Sequence, residues 1–111
     1  MGTTLTVTDA NFETEIGQHK GYALVDFWAE SCPPCRMLSP IMDELGIVFA
    51  DRLRIVKLEA YENMEITTKY GVRALPTLIL FKDGQEVDRS VGANNKTQLK
   101  AWIDTRIQAV L

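Results

Sequence analysis

The stretch "YALVDFWAESCPPCRMLSPIMDEL", Tyr22 to Leu45, constrains this chain more than any other. Its first part, Tyr22 to Ala29, is a nearly continuous apolar run, the pattern of a strand covered on both faces. After it, Met37, Leu38, Ile41, Leu45, Val48 and Phe49 recur at helical spacing. That spacing predicts a helix over about Pro34–Phe49, kinked where Pro40 interrupts it. Between the two lie the chain's only cysteines, Cys32 and Cys35, separated by Pro33 and Pro34. A two-residue gap at a helix start puts the sulfurs within bonding range, because side chains three apart are neighbours there. The helix N-terminus also offers unpaired N–H groups and a partial positive charge, which favour the reactive thiolate. Cys32 is expected to be the exposed, attacking sulfur, and Cys35, one turn in, the buried partner that resolves a mixed disulfide.

Two blander uses of the pair carry less weight. A zinc site needs four ligands, and one C-x-x-C supplies two; the single histidine, His19, lies in a polar stretch with no cysteine near it. A purely structural disulfide would close so small a loop that it would restrict the unfolded chain little. A redox couple is the stronger reading.

The rest of the chain supplies a scaffold for it. "LTVT" (Leu5 to Thr8) reads as a short strand, and Asp9 as the cap of a first helix reaching about Gly17, with Phe12 and Ile16 on one face. "RIVKLEA" (Arg54 to Ala60) is a strand, followed by a short helix from about Asn63 to Tyr70 that Gly71 ends in left-handed geometry. "TLILF" and "QEVDRSV" flank "KDG" as a hairpin. A last helix runs from about Asn95 to the C-terminus on the stripe Leu99, Trp102, Ile103, Ile107 and Val110. The order β-α-β-α-β-α-β-β-α predicts an α/β fold, a mixed sheet with helices on both faces.

At 111 residues the chain is expected to be one domain over 1–111. Twelve Lys and Arg against fifteen Asp and Glu give a net charge of -3, which argues against nucleic acid as a partner. No apolar run approaches the ~20 residues of a membrane span. The start "MGTTLTVTDANF" lacks the pattern of a secretory signal and matches a myristoylation signal only weakly, so a cytoplasmic protein is expected.

A C-x-x-C beside a β-α-β pattern is a known thioredoxin-like signature, and this chain resembles the thioredoxin family over nearly its whole length. "LVDFWAESCPPCRMLSPIMDEL" resembles the family's active-site strand and helix, "KYGVRALPTLILFKDG" its second signature, and "VGANNKTQLKAWI" its closing turn and helix. The resemblance implies the thioredoxin fold, with about five strands and about four helices. It implies a thiol–disulfide oxidoreductase that chiefly reduces protein disulfides through Cys32 and Cys35, with no bound cofactor and no metal. It also implies disulfide-containing client proteins, a flavin-dependent reductase as electron donor, and a monomer.

Further residues take roles through the same resemblance. Asp26, costly to ionise among apolar neighbours, corresponds to the buried acid that moves a proton to and from the resolving sulfur. Lys57 corresponds to the lysine beside that acid. Pro76 corresponds to a cis proline, whereas a generic X–Pro bond is cis in only about 5–6% of cases. Cis geometry would free the Leu75 backbone to pair with an extended substrate. Trp28 is implied to pack against the active-site loop, and Gly92 and Ala93 to shape the wall beside it, with Ser31 and Pro34 completing the substrate surface.

The pattern is broken in three places. The family's common W-C-G-P-C reads "SCPPC" here, and "KLEAYENME" departs from the usual acidic and proline pattern. Ser31 in place of a large aromatic removes apolar contact area for substrate or reductase. Pro33, with Pro34 the residues expected to tune the couple, removes an N–H near the Cys32 sulfur and pushes Cys32 towards extended geometry. A stiffer loop favours closure of the disulfide, while a lost donor disfavours thiolate; the two effects oppose each other. Three rival readings keep the two cysteines but change their use: an oxidase or isomerase with a shifted potential, a binding module with little turnover, and a metal bridging two chains.

Overall fold

The computed structural model describes residues 4–107. Val110 of the last helical stripe and the Gly2 start of the weak myristoylation match lie outside the described residues. Five strands, β1 (Leu5–Thr6), β2 (Tyr22–Trp28), β3 (Arg54–Glu59), β4 (Thr77–Lys82) and β5 (Gln85–Val91), form one sheet in the order β1-β3-β2-β4-β5. β3 runs parallel to β1 and β2, while β4 is antiparallel to both β2 and β5, so the sheet is mixed. Three α-helices accompany it: α1 (Pro33–Phe49), α2 (Met64–Lys69) and α3 (Lys96–Ile107). A π-helical segment, Glu13–Gly17, and a 3-10 turn, Ala50–Arg52, accompany these.

Side chains alternate across a strand, so the apolar run of β2 feeds two cores. Leu24 faces one side with Ile55, Leu78 and Leu80, where α1 and α3 bring Leu38, Met42, Leu45, Leu99 and Ile103. Val25 and Phe27 face the other with Val56, Leu58, Ile79 and Phe81, under Phe12, Ile16 and Ile66. Each such side chain removed from water contributes about 1.5–3 kcal/mol, which is why β2 has no polar residue to spare except where one has a use. That residue is Asp26, on the same side as Leu24 and therefore under α1.

The Asp83–Gly84 turn closes the β4–β5 hairpin with positive φ at both residues, 51° and 82°, as a two-residue turn of this hand requires. Gly71 ends α2 at φ 64° as its sequence implied. Asn95 caps α3 reciprocally: its Oδ1 accepts from the Gln98 amide at 2.8 Å, and its own amide donates to Gln98 Oε1 at 3.1 Å. Asp88 on β5 then fixes the roll of α3, its Oδ2 accepting from Trp102 Nε1 at 2.8 Å and Arg106 Nε at 2.6 Å.

Several local expectations are corrected. The first strand stops at Thr6, and the segment after Asp9 is a wide π-helical turn in which the Gln18 amide donates to the Glu13 carbonyl at 2.8 Å. Asp9 does not cap that turn. Its carboxylate accepts instead from the amides of Glu65 (3.2 Å) and Ile66 (2.9 Å), so it caps α2, while Asn63 Oδ1 accepts from the Asp9 amide at 2.9 Å. Asp9→Ala is therefore expected to lower stability by about 1 kcal/mol, the usual worth of such a cap. Urea denaturation reads this, and an unshifted midpoint would dismiss the cap. The α1 stripe is also narrower than its periodicity suggested: Met37 is 74% exposed and Val48 39%, because the buried face is set by Leu38, Met42, Leu45 and Phe49.

Candidate active site

α1 begins one residue earlier than its spacing indicated, at Pro33, and the two prolines explain how. Proline suits the first helical positions, where its missing N–H would have no partner, and it forces the residue before it out of helical geometry. Cys32 is accordingly extended, with φ -112° and ψ 97°, and serves as the N-cap. Its Sγ accepts from the Cys35 amide at 3.2 Å, the donor that survives after Pro33 and Pro34 have removed the two before it. The sulfurs of Cys32 and Cys35 are joined as a disulfide across Cα atoms 5.2 Å apart. Cys32 is partly exposed and Cys35 is 2% exposed, so an incoming sulfur meets Cys32 first.

Beneath Cys35 lies a cavity of about 150 Å³ lined by Asp26, Trp28, Cys35, Arg36, Ser39 and Lys57. Asp26 and Trp28 come from β2, Lys57 from β3 and the others from the first turns of α1. Asp26 and Lys57 are direct neighbours across the β2–β3 ladder and share a face. Asp26 is 1% exposed and its Oδ1 has no hydrogen-bond partner. Burial pushes its carboxyl from the ordinary 3.8 up to about 7, against the opposing pull of the Lys57 ammonium. The buried Trp28 Nε1 is likewise unpartnered. The cavity is large enough to hold water.

Lys57 lies beside Asp26 and its charge acts on that carboxyl, but the two form no ion pair. Its Nζ donates instead to Ser39 Oγ, which stands one helical turn beyond Cys35. Sequence reading missed Ser39. Its only signal was its position four residues after Cys35, which puts both on one helix face.

The Leu75–Pro76 bond is cis, and the Pro76 carbonyl accepts from the Gly92 amide at 2.8 Å, with Gly92 at φ 91°. Leu75 is half-buried, while Ser31, Pro33, Pro34 and Ala93 are exposed. Pro34 and Ala93 also line a shallow groove with Met37, Leu38 and Ile41, between α1 and the turn before α3. Met37, though it fits the helical spacing, is largely exposed and lines this groove.

A dithiol–disulfide pair at a helix start, one sulfur open to solvent and the other over a buried carboxyl, defines a thiol–disulfide oxidoreductase. A family model described as Thioredoxin matches residues 3–105. The chain is 43% identical over 107 residues to "Thioredoxin 1" of Synechococcus elongatus, across 96% of this chain and 100% of that protein. It is 46% identical over 101 residues to the thioredoxin of Pseudomonas aeruginosa, across 91% and 94% of the two chains. For the thioredoxin of Rickettsia bellii the identity is 45% over 101 residues, across 91% and 96%. The chain belongs to the thioredoxin family, and its activity is that of a protein disulfide reductase. Thioredoxins act on disulfide substrates and are themselves reduced by a reductase. No helix among the described residues is long and apolar enough to cross a membrane.

Proposed function

We propose that Cys32 and Cys35 divide the reduction of a client disulfide between them, with Asp26 carrying the proton. The Cys32 thiolate attacks one client sulfur and the other client sulfur leaves as thiolate, giving a mixed disulfide. The Cys35 thiol then passes its proton to the Asp26 carboxylate through the cavity and attacks Cys32 Sγ, which releases the second client thiolate. The product is the Cys32–Cys35 disulfide, with two electrons moved to the client. A flavin-dependent reductase returns two electrons through the same sulfurs.

The observation that carries this reading is the unpartnered, buried Asp26 carboxyl in one cavity with Cys35. A carboxyl raised to about 7 is half-ionised near neutral pH, where proton exchange in both directions is fastest. The Lys57 charge, acting from its place on Ser39, tempers the rise that burial gives the Asp26 proton affinity, while Pro33 and Pro34 set the couple's potential by removing donors at Cys32. Trp28, Ser31, Pro34, Leu75, Pro76, Gly92 and Ala93 form the surface that an extended client segment crosses, with the Leu75 backbone as its pairing edge. The chain works as a cytoplasmic monomer of one domain. Asp26→Asn is expected to slow insulin-disulfide reduction roughly 10–100-fold near neutral pH. Rates equal to the parent's from about pH 6 to 9 would remove Asp26 from the mechanism.

A further inference from the structure

The geometry points to Ser39 as a positioning residue that holds the Lys57 ammonium away from Asp26. It deepens the reading of Asp26 as proton carrier and rests on it. Lys57 and Asp26 sit side by side on one face of the sheet, and both border the same cavity. An ammonium and a carboxylate so placed ordinarily pair, since the low-polarity surroundings strengthen their attraction. Here the ammonium donates to Ser39 Oγ, while Asp26 Oδ1 is left without a partner. Ser39 achieves this from α1, the element that lies over the cavity and carries Cys35.

No other charged group takes the place of Lys57. From α1, Arg36 borders the cavity, but its Nη1 donates to the Glu30 carbonyl at 2.6 Å. From β4, the residue facing Asp26 in the ladder is the apolar Leu78. From β3, Glu59 lies opposite Trp28 and its Oε1 accepts from the Glu62 amide at 2.8 Å. Among the described residues, the hydroxyl of Ser39 thus engages the cation that is the ladder neighbour of Asp26. By engaging it, Ser39 keeps the carboxyl basic enough to accept the Cys35 proton near neutral pH. Without it, the released ammonium can turn to the Asp26 carboxyl, which borders the same cavity.

The test is the pH titration of the Asp26 carboxyl-carbon resonance in the oxidised protein, where the cysteines do not titrate. Ser39→Ala is expected to move the midpoint down by about one pH unit, a tenfold loss of proton affinity from a newly formed ion pair. Ser39→Thr, which keeps a hydroxyl, is expected to titrate like the parent. Adding Lys57→Met to Ser39→Ala is expected to bring the midpoint back up. Alanine suits a helix, so the variant should fold, and its far-ultraviolet spectrum checks this. An unmoved or raised midpoint in Ser39→Ala overturns the proposal. The pH profile of insulin reduction separates it from the role of Asp26. If the carboxyl titration moves and the rate profile does not follow, the placement of Lys57 by Ser39 stands and the proton role of Asp26 falls.

Discussion

Cys35→Ser is expected to hold client proteins as stable mixed disulfides through Cys32, while Cys32→Ser captures none. Both variants should lose insulin reduction down to the rate of dithiothreitol alone. The asymmetry follows from where α1 begins. Cys32 is the cap residue, outside the helix and partly exposed, so its sulfur can line up with an incoming disulfide. Cys35 lies inside the first turn at 2% exposure, facing the cavity with Asp26. It can reach only a sulfur already attached to Cys32. Serine at position 35 removes the group that resolves the mixed disulfide without removing the one that forms it. Mass spectrometry of the trapped species under non-reducing conditions decides the point. Equal trapping by the two variants, or a client bound through Cys35 in Cys32→Ser, would reverse the assigned roles.

What the sequence made legible, and what it hid, divides along a physical line. The covered strand β2 was readable because an apolar run of that length has few other destinations. The cysteine chemistry was readable because spacing and a helix start together fix the distance between sulfurs and their electrostatic setting. Asp26 stood out as a carboxylate in an apolar run. Its raised proton affinity has the expected cause, desolvation by burial. The cis bond before Pro76 came from family resemblance alone, since the local sequence favours trans. What stayed hidden were partners chosen across space. Asp9 looks like the cap of the segment that follows it, yet it caps α2, more than fifty residues away, because the folded chain brings those amides nearer. Lys57 looks like the partner of Asp26, yet it bonds Ser39 on another element. Met37 fits the helical period of α1 and still lies in solvent, since periodicity fixes an angle around the helix axis but not how far the covering layer extends.

Asp26→Asn is expected to make the oxidised protein more stable at alkaline pH and to leave it nearly unchanged in acid. The sign follows from the direction of the proton-affinity change. Asp26 titrates at about 7 in the folded protein and near 3.8 in the unfolded chain, so between these values the folded state holds more protons. Stability from this group is therefore complete below about 3.8, falls as the pH rises, and reaches its floor above about 7. Spread over that interval, the loss amounts to about 4 kcal/mol, a large fraction of what a domain of this size possesses. Asn keeps the shape and never ionises, so its curve lacks this slope. Asp83 and Asp88, whose carboxyls hydrogen bonds hold below the usual range, give the parent an opposite slope in acid. They do so equally in the variant, and the difference between the two curves isolates Asp26. Urea denaturation of both proteins, oxidised, from about pH 4 to 9 measures that difference. It should open with rising pH and level off past neutrality, and parallel curves throughout would mean that Asp26 ionises as easily in the folded protein as in water. The proposed mechanism gives this cost its place: the carboxyl beneath Cys35 that carries its proton must change charge near neutral pH.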